Sequence, residues 1–133
     1  MPEKKRILIV EDDSNFADTL KFTLEKRGYN VVGVAGSSDE AVESVKKIKP
    51  NIVLMDIELK GEKTNGIETG LTMRENGYKV PILFLSGLDK SEILEYSQNT
   101  SQVSNSSYIY KLSDLNDFDV VLKHGLGKGY GNK

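Results

Sequence analysis

Short apolar runs alternate with stretches of helical hydrophobic period along most of this chain. Each run is about five residues long, which suits a buried strand, and together they cover residues 7–10, 31–35, 51–56, 82–86 and 108–111. Regular alternation of strands and helices favours a parallel sheet that is covered by helices on both faces. The chain is therefore predicted to be an α/β protein with an open parallel sheet.

The connecting helices have recognisable ends. The first is predicted over residues 14–27, where Gly28 supplies the left-handed position that follows a helix. The same Gly-Tyr pair recurs at 77–78, so the same helix-to-strand turn is predicted twice. The second helix is predicted to begin with Ser37 as its N-cap and to stop before Pro50. Further helices are predicted to begin near residues 66, 89 and 113, the last of them ending at 124.

Size and composition narrow the function classes. At 133 residues the chain is predicted to be one domain over residues 1–124, with 125–133 a flexible, glycine-rich tail or linker stub. A net charge of −2 gives no electrostatic footprint for direct nucleic-acid binding. The chain has no cysteine and no apolar run near the roughly 18 residues of a membrane span, so a cytoplasmic protein without membrane contact is expected.

Charged and hydroxyl residues follow four of the five predicted strands. Asp12 and Asp13 end the first strand, Asp56 the third, Ser86 the fourth and Lys111 the fifth. Functional groups of an open parallel sheet gather outside the carboxyl ends of its strands. Each acid alone has a simpler interpretation as a helix cap or turn residue. Together, three clustered carboxylates would repel one another, and a bound Mg²⁺ is the usual resolution.

A metal site beside an ammonium and a hydroxyl group suits a phosphoryl group. Mg²⁺, Lys111 and Ser86 would together hold its negative oxygens. Asp56 is then predicted to be the nucleophile that forms an acyl phosphate, while the metal neutralises the attacking carboxylate.

From about residue 5 to 124 the chain resembles the receiver domain of two-component response regulators. Glu11-Asp12-Asp13 matches the acidic cluster of that family, and the resemblance implies that Asp12 and Asp13 bind the metal, with Asp13 as the direct ligand. Asp56 matches the phospho-acceptor and metal ligand. Glu58 falls where the family offers a backbone carbonyl to the metal. The implied fold is flavodoxin-like and doubly wound, with five parallel strands in the order 2-1-3-4-5 and about five helices.

The remaining matches concern phosphoryl binding and signalling. Ser86 matches the switch hydroxyl of the family, Lys111 its lysine and Tyr108 its aromatic switch position. The resemblance implies a signalling switch, not an enzyme, that accepts a phosphoryl group from a histidine kinase or a phosphotransfer protein. Its output would go to a downstream protein effector or a tethered output domain, and homodimerisation stays open.

Three departures from the family pattern surround this site. Leu112 stands where the family usually has a proline with a cis peptide bond, which costs about 2.5–4 kcal/mol without proline. Lys60 replaces another common proline, and residues 61–65 lengthen the loop after the third strand. The segment 97–107, in which ten of eleven residues are Ser, Thr, Asn or Gln, is also longer than usual. These departures bear on signalling geometry more than on phosphate acceptance.

The sequence bears on three alternative functions. A phosphatase of the haloacid dehalogenase type would need its Asp-x-Asp nucleophile after the first strand, where this chain has Glu11-Asp12-Asp13. A flavin-binding module would need a phosphate loop rich in Ser, Thr and Gly at the same place, and three acids would repel the phosphate. A phosphate-relay receiver without a conventional output switch remains the runner-up.

Overall fold

Five parallel strands form a single sheet. The computed structural model describes residues 5–59, 65–86 and 103–110. In that part the strands are β1 (Arg6–Val10), β2 (Asn30–Ala35), β3 (Ile52–Asp56), β4 (Ile82–Ser86) and β5 (Ser106–Tyr110). Their order in space is β2-β1-β3-β4-β5, and every neighbouring pair is parallel. The doubly wound sheet that the sequence predicts is therefore confirmed.

The strand register determines which residues meet at the carboxyl edge. Val10 of β1 pairs with Met55 of β3, so the residues that follow them, Glu11 and Asp56, emerge side by side. Asp56 pairs in turn with Leu85 of β4. A pairing irregularity between β1 and β2 lies at the other end, between Ile7 and Leu8. The carboxyl edge therefore brings residues together that are far apart in sequence.

The described part of the chain contains three helices, which are α1 (Ser14–Lys26), α2 (Ser38–Ile48) and α3 (Gly66–Glu75). The N-cap of α2 is Ser37, as predicted, and its Oγ accepts from Glu40 N at 3.2 Å. The helix does not run directly into Pro50, because Lys49 caps it in the left-handed conformation, at φ 53°.

The predicted Gly-Tyr turn occurs twice. Gly28 and Gly77 have φ values of 94° and 84°, in the region that favours glycine. Tyr29 N donates to Leu24 O after α1, and Tyr78 N donates to Met73 O after α3, at the same sequence spacing. These 6→1 bonds are typical of a Schellman-type helix end. The same turn therefore connects α1 to β2 and α3 to β4.

Strand alternation divides the core into two layers. Ile7, Ile9 and Leu54 pack with α1 on one face. Leu8 and Val10 pack with α2 and α3 on the other. Both layers are almost fully buried. The sheet is therefore a rigid support for the polar residues at its carboxyl edge.

Several predictions fall outside the described residues. These are the helices predicted from 89 and from 113, the loop 60–64, Lys111, Leu112 and the tail from 125. The domain boundary at 124 stays a prediction for the same reason. None of the helices in the described part of the chain combines the length and the apolar composition of a membrane span.

Candidate metal centre

Three carboxylates meet at the carboxyl edge of the sheet. Glu11, Asp12 and Asp56 each offer one oxygen, and these oxygens all lie within 4.8 Å of one another. Glu11 is only 2% exposed and Asp56 only 4%, whereas Asp12 is half-buried. Two of the three acids are therefore largely withdrawn from water.

Backbone pairing places Glu11 inside this cluster. Its N–H donates to Ala35 O at 2.9 Å, which continues the pairing of β1 with β2 by one residue. Its side-chain Oε2 accepts from Asp13 N at 3.2 Å. The backbone of Glu11 thus continues the direction of β1, and its carboxylate bonds to the backbone at the start of the following loop.

Asp13, the predicted direct metal ligand, lies at the start of α1. It is the N-cap of α1, and its Oδ1 accepts from Asn15 N at 3.0 Å and from Phe16 N at 3.2 Å. Its side chain is exposed, and it is not a member of the three-carboxylate group. The geometry therefore gives Asp13 the capping role and places Glu11 and Asp12 beside Asp56.

Asp56 is held at the end of β3 by its chain neighbours. Ile57 N donates to Leu85 O at 3.0 Å, so the backbone stays on the sheet for one more residue. Glu58 N donates to Asp56 Oδ1 at 3.2 Å. The side chain of Glu58 is exposed, which accords with a role for its backbone alone. That carbonyl role stays a prediction.

The other predicted site residues lie on β4 and β5 or just beyond. Ser86 is the last residue of β4 and pairs with Tyr110, although its side chain is outside the described part. Lys111 is the next residue in the sequence after Tyr110 and lies outside the described part of the chain. Tyr108 pairs with Phe84, and its half-buried ring packs against the core layer of α2 and α3.

The donor set fits a hard divalent cation. Two unit charges at about 4.8 Å repel by roughly 3 kcal/mol at an effective dielectric constant of 20, and this cluster contains three such pairs. Carboxylate oxygens are the ligands that Mg²⁺ prefers, and Mg²⁺ keeps several of its waters when protein ligands are few. An ion of this kind would relieve the repulsion among two buried acids and one half-buried acid.

Comparison with known proteins identifies the family. The family model described as the response regulator receiver domain matches residues 7–123. The chain belongs to this family. It is 33% identical over 86 residues to the alkaline phosphatase synthesis transcriptional regulatory protein PhoP of Bacillus subtilis (strain 168). That match covers 65% of this chain and only 35% of PhoP.

Solved structures agree with this assignment. A two-component response regulator of the LuxR family from Aurantimonas sp. SI85-9A1 is 25% identical, with a TM-score of 0.81 over 98% of this chain and 89% of that chain. The BeF3-activated N-terminal receiver domain of Klebsiella pneumoniae RstA is 27% identical, with a TM-score of 0.77 over 92% of this chain and 98% of that chain.

This receiver domain is therefore a module of phosphorylation-dependent signalling in two-component systems, not a conventional enzyme. Receiver domains generally bind Mg²⁺ at their acidic pocket and interact with histidine kinases and output domains. The acidic cluster of Glu11, Asp12 and Asp56 supplies such a pocket here.

Sequence reasoning missed two contributors to the site. Among the three consecutive acids, only Asp12 and Asp13 are predicted ligands, yet the Glu11 carboxylate lies in the cluster with those of Asp12 and Asp56. Gly66 is predicted only as the start of a helix, yet a Cβ at this position would overlap the backbone of Asp56. A close approach between residues ten apart has no local sequence signal beyond the glycine itself.

Proposed function

We propose that this receiver domain accepts one phosphoryl group on Asp56 from a histidine kinase or a phosphotransfer protein. The observation that carries the proposal is the position of the Asp56 carboxylate, which ends β3 within 4.8 Å of two further carboxylates. Asp56 is the acid of this cluster that lies on the central strand, next to the end of β4. A donor phosphoryl group would therefore approach it from the open carboxyl edge.

The metal ligands follow from the same geometry. Asp12 and Asp56 would hold Mg²⁺ directly, together with the backbone carbonyl of Glu58. The buried carboxylate of Glu11 would help to balance the positive charge of the ion. When bound, Mg²⁺ supplies neutralisation of the attacking carboxylate and of the phosphoryl oxygens. Asp13 would remain the cap of α1, because its Oδ1 already accepts two backbone N–H groups.

The chemical step is a substitution at phosphorus. An oxygen of Asp56 donates an electron pair to phosphorus, and the bond from phosphorus to the donor's leaving atom breaks with its electrons going to that atom. Glu58 N, which donates to Asp56 Oδ1 at 3.2 Å, would help to orient the carboxylate for this attack. Lys111 and Ser86, from β5 and β4, would stabilise the charge that develops on the phosphoryl oxygens.

Signalling would then run from Asp56 through Ser86 to Tyr108. A hydrogen bond from the Ser86 hydroxyl to a charged phosphoryl oxygen contributes roughly 1.5–3 kcal/mol. Movement of Ser86 would open space near the ring of Tyr108, which is half-buried before phosphorylation. The free energy of this hydrogen bond would shift the equilibrium between two conformations of the domain by one to two decades, at about 1.4 kcal/mol per tenfold.

The proposed partners rest on the family and on how much of its relatives' length this chain spans. Because the chain spans only 35% of the length of PhoP, the output of that protein is not transferred to it. We propose a downstream protein effector or a tethered output domain, in the cytoplasm, without direct nucleic-acid or membrane binding by the receiver itself.

Phosphorylation with a small donor tests the acceptor. Incubation with acetyl phosphate and Mg²⁺, followed by intact mass spectrometry, should show one added phosphoryl group. Asp56→Ala should abolish the addition, while Asp13→Ala, one residue outside the cluster, should retain it. Equal phosphorylation of wild type and Asp56→Ala would refute the assignment.

Hydrogen exchange separates a switch from a relay. With beryllofluoride as phosphoryl mimic, protection should change most over residues 86–112, and Ser86→Ala should uncouple that change while phosphorylation persists. If protection changes only around Asp12 and Asp56, the phosphate-relay function becomes the better account.

A further inference from the structure

The first residue of α3 lies in direct contact with the phospho-acceptor backbone. A Cβ built on Gly66 would overlap Asp56 O, and it would come within 3.0 Å of Asp56 C and 3.1 Å of Ile57 Cα. Real Cβ atoms essentially never come closer than 3.0 Å to such atoms, and a backbone neighbour cannot rotate away as a side chain can. A side chain at this position would therefore have to push α3 and the end of β3 apart.

The peptide unit between Asn65 and Gly66 is held from both sides. On one side Gly66 N donates to Ile57 O at 2.8 Å. On the other side Asn65 O accepts from Thr69 N at 3.0 Å and from Thr69 Oγ1 at 2.9 Å. Because a peptide unit is planar, these bonds fix its orientation relative to the chain that leaves β3.

Thr69 extends this support to α2. Its side chain is only 1% exposed, and its Oγ1 lies 2.6 Å from Ser38 Oγ. Thr69 has a single hydroxyl hydrogen, which it donates to Asn65 O, so Ser38 must be the donor in the bond between the two hydroxyls. A pair of hydroxyls, one half-buried on Ser38 and one buried on Thr69, thus ties the start of α2 to the peptide that lies against Asp56.

We propose that Gly66 and Thr69 are positioning residues for the acid cluster, which rests on the proposed function of that cluster as a Mg²⁺ and phosphoryl site. Gly66 allows the Asn65–Gly66 peptide to lie against Asp56, and Thr69 fixes the direction of that peptide. Together they set where the Asp56 carboxylate and the following Glu58 carbonyl lie relative to Asp12. Neither residue touches the metal or the phosphoryl group.

Gly70 provides a matched control on the same helix. A Cβ at Gly70 would come within 3.1 Å of Phe84 Cζ and 3.4 Å of Val103 Cγ1, both of which belong to side chains in the core. Gly66→Ala and Gly70→Ala therefore both strain the packing of α3, but only the first displaces the backbone of Asp56. Mg²⁺ affinity, measured on the full chain by calorimetric titration with MgCl₂, separates the two effects.

The wild type is titrated first, because its failure to bind Mg²⁺ or to accept phosphate would overturn the proposed function and this inference with it. With a binding wild type, Gly66→Ala should raise the Mg²⁺ dissociation constant at least tenfold and slow phosphorylation by acetyl phosphate. Gly70→Ala should stay within about twofold of wild type. Unchanged affinity in folded Gly66→Ala, or equal losses in both variants, would overturn the inference alone.

Thr69 keeps the proposal testable if Gly66→Ala does not fold. Thr69→Val keeps a similar shape and removes the hydroxyl, and it should weaken Mg²⁺ binding about threefold or more. Thr69→Ser keeps the hydroxyl but lacks the methyl group, and it should bind Mg²⁺ with the affinity of wild type. If the methyl group were what mattered, Thr69→Ser would not recover that affinity. Equal affinities for Thr69→Val and wild type would contradict the positioning role.

Discussion

The contrast between Asp12 and Asp13 gives a sharp test of the site geometry. The two residues are adjacent, equally charged and both at the carboxyl end of β1. In the structure Asp12 belongs to the three-carboxylate cluster, whereas Asp13 caps α1. We therefore expect Asp12→Asn to remove most of the stabilisation by Mg²⁺ and Asp13→Asn to retain it.

The expected size follows from linkage and from chain length. Mg²⁺ at 100 times its dissociation constant adds about 2.7 kcal/mol to the free energy of unfolding. With an unfolding entropy of about 2.1 cal/mol/K per residue, a chain of 133 residues gains roughly 10 °C in melting temperature. Asp13→Ala should lose about 0.5–2 kcal/mol with its helix cap, equally with and without Mg²⁺. Asp13→Asn keeps a good capping residue and should melt close to wild type.

The assay is thermal unfolding by circular dichroism, with MgCl₂ and with a chelator, on wild type and the three variants. The quantity compared is the Mg²⁺-dependent shift within each protein, which cancels the capping loss. A shift that survives in Asp12→Asn and disappears in Asp13→Asn would refute the geometry and restore Asp13 as the direct ligand.

Three further substitutions test the scaffold by urea unfolding. Lys49→Gly should raise the free energy of unfolding by about 1 kcal/mol, since Lys49 adopts φ 53°, and a decrease would contradict the left-handed cap. Leu54→Ala should lower it by about 2–5 kcal/mol, because Leu54 is fully buried in the central strand, and a loss below 1 kcal/mol would contradict that burial. Arg74→Met should lower it by about 1–3 kcal/mol, because the guanidinium donates to carbonyls of Tyr78, Ser104 and Asn105, and no change would show these bonds to be unimportant.

Much of the sheet could be predicted because its signals are local. Five apolar runs of strand length, punctuated by helix caps, are enough to predict a doubly wound sheet. The turn at Gly28 and its repeat at Gly77 are determined by a single residue type that tolerates positive φ. β5 begins at Ser106, two residues before the apolar run suggested, because its pairing with Ile82 and Leu83 recruits two serines that have no strand preference of their own.

The details of the site depend on contacts that no local pattern reports. The three consecutive acids at 11–13 could be divided between the metal site and the cap of α1 in more than one way. A shift of one residue along the chain changes which acids face the metal site. Their alignment is set by the bond from Glu11 N to Ala35 O on a different strand. Likewise, the hydroxyls of Ser38 and Thr69 meet only after two helices have packed together.

Chemical trapping of the acyl phosphate identifies the residue that carries the phosphoryl group. After phosphorylation with acetyl phosphate and Mg²⁺, borohydride reduces an aspartyl phosphate to homoserine, which peptide mass spectrometry locates by residue. Homoserine is expected at position 56 alone, and none when Mg²⁺ is withheld. Homoserine at position 12 or 13, or a stable phosphate on a serine with position 56 unmodified, would contradict it.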